Sequence, residues 1–201
     1  MRKKLLIVVD MQNDFIYGSL GNEDCQKTVP VIKEIIEKWD GDIVFTRDTH
    51  GSCEEYFNSL EGKKLPVHHS EKGSRGWEIV DELKDFLPNP KKEEVEDFDY
   101  ICENGNMIID KPVFGSVKLG KLAEKKKYSE YLMVGVCTGI CVISNAVIIR
   151  SFDVNADIKV IVDACACVNS DTHKTALDAM KTLQIEIIKE YKWKRLKNEN
   201  G

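Results

Sequence analysis

The heptapeptide Gly135-Val136-Cys137-Thr138-Gly139-Ile140-Cys141 joins an apolar run that reads as a buried strand, Tyr131 to Val136, to one that reads as a helix, Val142 to Ile149. A thiol at such a junction faces the unpaired first N–H groups of the helix, which favour negative charge and can hold a developing oxyanion. Cys141 is therefore the best candidate nucleophile, set against the commoner fate of cysteine as a small buried apolar residue. A thiol must be ionised to attack a carbonyl, and an unperturbed one is mostly protonated at neutral pH. The helix terminus supplies about 0.3–1 kcal/mol toward that. A lysine ammonium about 4 Å away supplies up to about 4 kcal/mol at an effective dielectric near 20, so a lysine would dominate the activation.

Ligands of open parallel sheets bind beyond the carboxyl ends of the strands. Four polar residues fall there: Asp10 after the first apolar run, Asp48 after the second, Lys111 after the third and Cys141 after the fourth. An aspartate after a strand is often a turn former, so the argument rests on their agreement at one edge. Asp10 opposes a thiolate as an anion, yet as acceptor of the thiol proton it becomes the acid that protonates a leaving amine. Asp48 and His50 are two apart on extended chain and point to one face, and Glu61 and His69 follow. Mixed carboxylate and imidazole donors suit Zn²⁺, Mn²⁺ or Fe²⁺ with positions left open.

The elements that must position these groups alternate. Leu5 to Val9, Ile43 to Thr46, Met107 to Ile109, Leu132 to Val136, Lys159 to Val162 and Ile185 to Ile188 read as six strands. Their separation by amphipathic stretches implies a mostly parallel α/β sheet covered on both faces. The first long helix is expected to start near Val29-Pro30 with Thr28 as its cap. Further helices are expected at Trp77 to Phe86, Val117 to Lys126, Ile140 to Phe152 and Thr172 to Leu183. Residues 49 to 76 break the rhythm and read as a long irregular insertion of functional origin. Leu87 to Asp99 reads as a surface connection, and the polar tail after Trp193 as frayed.

With 201 residues and 42% hydrophobic content, the chain fits one domain with a substantial core. A net charge of −5 gives no electrostatic footprint for nucleic acid or an anionic membrane. Leu5 to Val9 is too short for a signal peptide and no segment is apolar enough to span a bilayer. Seven cysteines, an odd number, without an export signal point to a reducing cytoplasm rather than a disulfide framework. A four-thiolate zinc site from Cys137, Cys141, Cys165 and Cys167 lacks the knuckle spacing and is disfavoured.

Three blocks, Val9 to Phe15 (VDMQNDF), Lys111 to Ser116 (KPVFGS) and Gly135 to Val142 (GVCTGICV), resemble in order the signatures of the isochorismatase-like cysteine hydrolases, most narrowly the nicotinamidases. The resemblance runs from residue 4 to about 188 and implies a three-layer, Rossmann-like α/β/α hydrolase domain spanning residues 1–201, with a metal-binding insertion at about 49–76. It implies a catalytic triad of Asp10, Lys111 and Cys141. It also implies a cis peptide between Val136 and Cys137, an oxyanion hole from the Cys137 and Cys141 amides, and Phe15 against the substrate. Thr46 to His50 and Glu61 to His69 resemble the nicotinamidase metal stretch, implying Asp48, His50, Glu61 and His69 as ligands of a divalent ion, most readily zinc. His69 is preferred to His68 because Gly73 then falls four residues on; Glu54 and Glu55 compete with Glu61. Gly139 stands where many relatives carry aspartate, and Leu65-Pro66 where some carry an aromatic. The expected activity is hydrolysis of a small amide, nicotinamide to nicotinate and ammonia through a thioester, by a self-associating cytoplasmic enzyme. The rivals are a sister amidase for an N-carbamoyl or ureido compound, isochorismate hydrolysis, and a silent binding module.

Overall fold

In the computed structural model, which describes residues 3–191, the chain builds one eight-stranded sheet. Its strands are β1 (Lys4–Val9), β2 (Asp42–Asp48), β3 (Lys91–Lys92), β4 (Tyr100–Ile101), β5 (Met107–Lys111), β6 (Glu130–Val136), β7 (Ile158–Ala166) and β8 (Glu186–Ile188), in spatial order β3-β4-β5-β2-β1-β6-β7-β8. From β5 to β8 every neighbouring pair is parallel; β3 and β4 add antiparallel pairs at one edge. The six expected strands are all present. The two additional ones correct both the strand number and the reading of Leu87 to Asp99 as a plain connection, since Lys91 and Lys92 pair with Ile101 and Tyr100. Two-residue strands carry no periodicity to detect. The tail after Trp193 lies outside the described residues.

Alternation along the central strands builds two cores. Leu5, Ile7 and Val9 face the side covered by α5 (Val117–Lys126), α6 (Ile143–Phe152) and α7 (Ser170–Thr182), through residues such as Leu119, Leu122, Ile149 and Met180. Leu6, Val8 and Phe45 face α2 (Glu23–Lys38), through Val29, Ile32 and Ile36, and a 3-10 segment at Asp81–Phe86, through Leu83. The result is the expected three-layer α/β/α arrangement. Among the described residues no helix is long and apolar enough to cross a membrane.

Several boundaries differ from expectation for identifiable reasons. Helix α2 begins at Glu23, capped by the Asn22 side chain, which accepts from the Cys25 N–H; Glu23 and Asp24 then occupy the positive end of the helix. Thr28 is thus not the cap, and Pro30 lies inside the helix. Only Asp81–Phe86 of the expected Trp77 to Phe86 helix is helical. Its first part stays out of the helix because Asn13 N–H donates to Glu78 O and Val80 N–H to Met11 O, tying it to the chain leaving β1. The insertion is less irregular than expected: it contains α3 (Cys53–Asn58), opened by a Ser52/Glu55 capping box, and α4 (Leu60–Lys64). A short helix, α1 (Asn13–Ile16), follows β1 directly.

The topology creates the site. From β1 the chain moves through α2 to β2 and on to β5 on one side, then crosses by α5 to β6 on the other. The loops after β1 and β6 therefore diverge, and a crevice opens between them at the carboxyl edge. Close approach there depends on Gly135, whose φ is +116° and where a Cβ would overlap the Val9 carbonyl oxygen. Gly135→Ala is expected to destabilise the fold by roughly 3 kcal/mol through a disfavoured φ and a backbone clash at the sheet centre, read as a lower denaturant midpoint.

Candidate functional site

Three strand ends deliver three side chains to one buried point. Asp10, the first residue after β1, has φ +49°, donates its N–H to Thr46 O and accepts from the Thr46 hydroxyl at 2.7 Å. Lys111 ends β5, in register with Asp48 at the end of β2. Cys141 sits in one turn of π-helix, Thr138–Val142, immediately after β6, and leads into α6. The Lys111 Nζ is 2.7 Å from Asp10 Oδ2, 3.4 Å from Asp48 Oδ1 and 3.5 Å from Cys141 Sγ. Asp10 is 0%, Lys111 1% and Cys141 6% exposed, so these charges meet in the interior. The Val136–Cys137 peptide is cis, as the sequence resemblance implied.

Lys111 draws the thiol down as expected, but it does not dominate. Burial pushes Cys141 well above the ordinary thiol range, the Asp10 carboxylate pushes it further, and the Lys111 charge only partly offsets them. Pairwise reasoning overlooked that the ammonium is already shared by two carboxylates. Lys111 itself is raised: burial works against the charged form, but Asp10, Cys141 and Asp48 together outweigh it. Asp10 is raised chiefly by burial, with Asp48 adding to it and Lys111 opposing. The resting arrangement is thus a protonated thiol beside a carboxylate of elevated basicity.

Beside this point, one donor atom from each of Asp48, His50, Glu61 and His69 lies within 4.8 Å of the others. His50 Nε2 is 2.8 Å and His69 Nε2 3.4 Å from Asp48 Oδ2, with Glu61 Oε1 at 3.7 and 4.0 Å from the same two nitrogens. His69 Nδ1 lies 2.8 Å from Val67 O, an acceptor only; the ring donates there, leaving the Nε2 lone pair for the cluster. His50 Nε2 is buried without an aligned hydrogen bond. Burial raises the Asp48 carboxyl, yet the adjacent His50 and His69 rings and the Lys111 charge outweigh it and hold it well below the usual range. Two imidazole nitrogens and two carboxylates facing one small volume are a donor set that fits a borderline divalent cation. His68 and the competitors Glu54 and Glu55 stay outside: His68 faces Glu71, and Glu55 caps α3.

The insertion reaches the triad through short backbone pairing: His50 N–H donates to Ser70 O and Lys72 N–H to His50 O, which carries His69 to Asp48. The Ser70 N–H is held by Asp14 Oδ2 at 2.8 Å. Phe15 meets His69 edge to face, ring centroids 5.4 Å apart, so it packs against a candidate ligand.

Three supporting residues escaped the sequence reading. Gln12, 0% exposed, accepts from the Asp48 N–H at 2.7 Å and donates to Asp48 O and Trp77 O. Asn145, one turn beyond Cys141 and also 0% exposed, donates to Cys141 O at 2.8 Å and accepts from the Ser116 N–H at 3.0 Å, tying the loop after Lys111 to the thiol turn. Tyr56 packs its ring against His50 and His69, with centroids 4.8 and 5.2 Å apart. The available signal for Gln12 and Asn145 was type: an amide three residues past a strand end, or inside an apolar helix, needs polar partners if buried. A cavity of about 750 Å³ opens over the cluster, lined by His50, Tyr56, Glu61, Leu65, Phe114 and Ile140 among others.

Comparison with known proteins agrees with this architecture. Residues 4–190 match the Isochorismatase domain family model. The chain is 30% identical over 182 residues to a Bacillus subtilis (strain 168) protein described as uncharacterized isochorismatase family protein PncA, covering 87% of this chain and 92% of that one. It is 29% identical over 174 residues to a nicotinamidase of Saccharomyces cerevisiae, covering 72% and 80%. Among solved structures, a pyrazinamidase of Pyrococcus horikoshii in complex with zinc superposes with TM-score 0.73 at 24% identity, covering 94% of this chain and 99% of that one. An N-carbamoylsarcosine amidase of Thermoplasma acidophilum gives TM-score 0.72 at 22% identity, covering 96% and 99%. The strand order, the carboxyl-edge crevice and the match across nearly the whole length assign this chain to the isochorismatase family.

Proposed function

We propose that this protein is an amidohydrolase that converts nicotinamide to nicotinate and ammonia through a cysteine thioester. The observation that carries the reading is the buried Lys111 ammonium, which touches Asp10, Cys141 and Asp48 at once and so joins the thiol to the four-donor cluster. The likeness to a named nicotinamidase supports the substrate class.

Asp10 removes the Cys141 proton as the sulfur attacks the carboxamide carbon; a C–S bond forms and the carbonyl π electrons move to oxygen. The backbone N–H groups of Cys137 and Cys141 hold that oxyanion. As the C–N bond breaks, protonated Asp10 returns the proton to nitrogen and ammonia leaves. Water then attacks the thioester with Asp10 as base, releasing nicotinate and the thiol. Lys111 keeps a positive charge beside both forms of the Asp10–Cys141 pair. Asp48, His50, Glu61 and His69 would hold a divalent ion, most readily Zn²⁺, whose chemistry is to bind the pyridine nitrogen and orient the ring, with Phe15 packed alongside. A second reading, hydrolysis of an N-carbamoyl or ureido compound, uses the same triad; the likeness to an N-carbamoylsarcosine amidase and the roomy cavity favour keeping it in the assay.

Ammonia release from nicotinamide by metal-loaded protein is the direct test. Release from ureido substrates alone would move the assignment to the second reading, and release from neither would reject both. Cys141→Ala is expected to lower kcat by at least about 10⁴-fold with metal content unchanged, as befits loss of a covalent nucleophile. Lys111→Met leaves two buried carboxylates facing each other and is expected to cost about 3–5 kcal/mol of stability, measured by denaturant titration. His69→Ala is expected to reduce bound metal by about 10-fold or more in affinity, read by competition with a chelator. The same substitution should leave reaction of Cys141 with an alkylating agent intact, separating metal loss from loss of the nucleophile.

A further inference from the structure

On the side of the thiol turn away from the metal cluster lies a second group of sulfurs that the proposed reaction does not use. The register of β6 with β7 pairs Gly135 with Cys165 and Val136 with Ala166. Continued one residue beyond the ends of the two strands, this register sets Cys137 opposite Cys167. Neighbouring strands run about 4.8 Å apart, within the span of about 4.4–6.8 Å between Cα atoms that a disulfide requires. The crossing is held in place: the Thr138 hydroxyl donates to Ala166 O at 2.9 Å and accepts from His173 Nδ1 at 2.8 Å, and the Asn22 side chain donates to Cys167 O at 3.2 Å. Cys165, two residues before Cys167, belongs to the core under α5, α6 and α7, its thiol directed at Met133 O.

The two thiols are not equivalent. The Cys137 thiol, the Thr172 side chain and the backbone N–H groups of Gly139 and Val168 surround the Cys167 sulfur and draw it down to about 5 despite burial. Cys137 is pushed far up, first by its interaction as donor with Cys167 and then by burial. Cys167 is thus the more acidic thiol of the pair. Cys167 is 4% exposed, but it lines a cavity of about 250 Å³ that also touches Asp24, Thr28, Asn169 and His173, large enough for a small oxidant. All seven cysteines are reduced in the structure.

We propose that Cys137 and Cys167 are a peroxide-sensitive dithiol, a modification site at which a hydroperoxide oxidises Cys167 and Cys137 closes a reversible disulfide across the ends of β6 and β7. In the first step the Cys167 thiolate attacks the peroxide: an S–O bond forms, the O–O bond breaks, and the peroxide is reduced to an alcohol, or to water from hydrogen peroxide, with uptake of one proton. In the second, Cys137 sulfur attacks Cys167 sulfur, the S–S bond forms, the S–O bond breaks, and hydroxide leaves as water with the Cys137 proton. Reduction by a dithiol restores both. The crosslink would brace the turn that carries Cys141, so the oxidation state of one pair bears directly on the geometry of the other site. This inference stands independently of the amide substrate.

Reduced protein is treated with hydrogen peroxide at neutral pH, quenched with N-ethylmaleimide in denaturant, and analysed by intact mass and peptide mapping. The expected result is loss of two of the seven thiols, one crosslinked peptide containing Cys137 and Cys167, and recovery with dithiothreitol. In Cys137→Ser, dimedone should trap a sulfenic acid at Cys167; in Cys167→Ser, peroxide consumption should fall at least about 10-fold, the nucleophile having been removed. A crosslink to Cys25 or Cys141 instead, sulfenic acid at Cys141 without any at Cys167, or seven intact thiols under conditions that oxidise free cysteine would overturn the proposal. Should either variant fail to fold, the wild-type peptide map decides alone.

Discussion

The constraint on which the rest depends is the burial of the Lys111 ammonium. A cation with 1% exposure is tolerated only where anions and hydrogen-bond acceptors replace water, and here Asp10 and Asp48 do so from two neighbouring strand ends. That requirement fixes much of the local architecture. β5, β2 and β1 must lie side by side, and in register, for their final residues to converge. β6 must lie on the far side of β1 for the thiol to approach the same ammonium from across the crevice. Both carboxylates therefore do two things at once. Asp48 balances Lys111 through Oδ1 and faces the histidines through Oδ2; Asp10 balances it through Oδ2 and is steered by Thr46 through Oδ1.

Neutral amides hold this charged centre. Gln12 and Asn145 are fully buried, and each spends donor and acceptor on backbone groups of a different segment. Such groups add no charge to a crowded site, yet removing one leaves several orphaned polar atoms. Asp14 serves the insertion likewise by accepting from Ser70 N–H, so the chain just after β1 positions three regions: Asp10 the thiol, Gln12 the end of β2, Asp14 the segment bearing His69. The density of chemistry-bearing types between residues 10 and 15 follows from that position at the switch point of the sheet.

The site was legible because its members sit at strand ends, and strand ends are where apolar runs stop. Asp10, Asp48, Lys111 and Cys141 could each be placed from hydrophobic pattern alone, and the structure brings all four together. Glu61 and His69 have the right donor types, but the family resemblance was needed to prefer them over Glu54, Glu55 and His68, because the pairing of residue 50 with residues 70 to 72 has no local signal. The errors have physical causes. Proline after a possible cap drew the start of α2 to Val29, whereas Asn22 followed by two acids is the better helix start. Trp77 to Phe86 has helical spacing, yet Trp77 gives its indole N–H to Thr49 and stacks over Arg47, tertiary contacts that override the local preference. The activation of Cys141 was misjudged because Coulomb attraction can be guessed from a pair of residues, whereas desolvation depends on everything around them.

Two carboxylates, Asp10 and Asp48, against one ammonium, Lys111, already leave the buried centre one negative charge in excess. Ionising Cys141 outright would make it two, which is why burial and Asp10 hold the thiol protonated. Passing the proton from sulfur to Asp10 instead leaves the total unchanged: the negative charge moves from oxygen to sulfur while Lys111 stays in contact with both. No ion need enter the crevice. A divalent cation between Asp48, His50, Glu61 and His69 would act on the same balance, since drawing Asp48 toward itself frees more of the Lys111 field for the Asp10–Cys141 pair. In this arrangement the metal donors and the nucleophile are electrostatically one site, joined by the Lys111 ammonium although the insertion ends 65 residues before Cys141 in the chain.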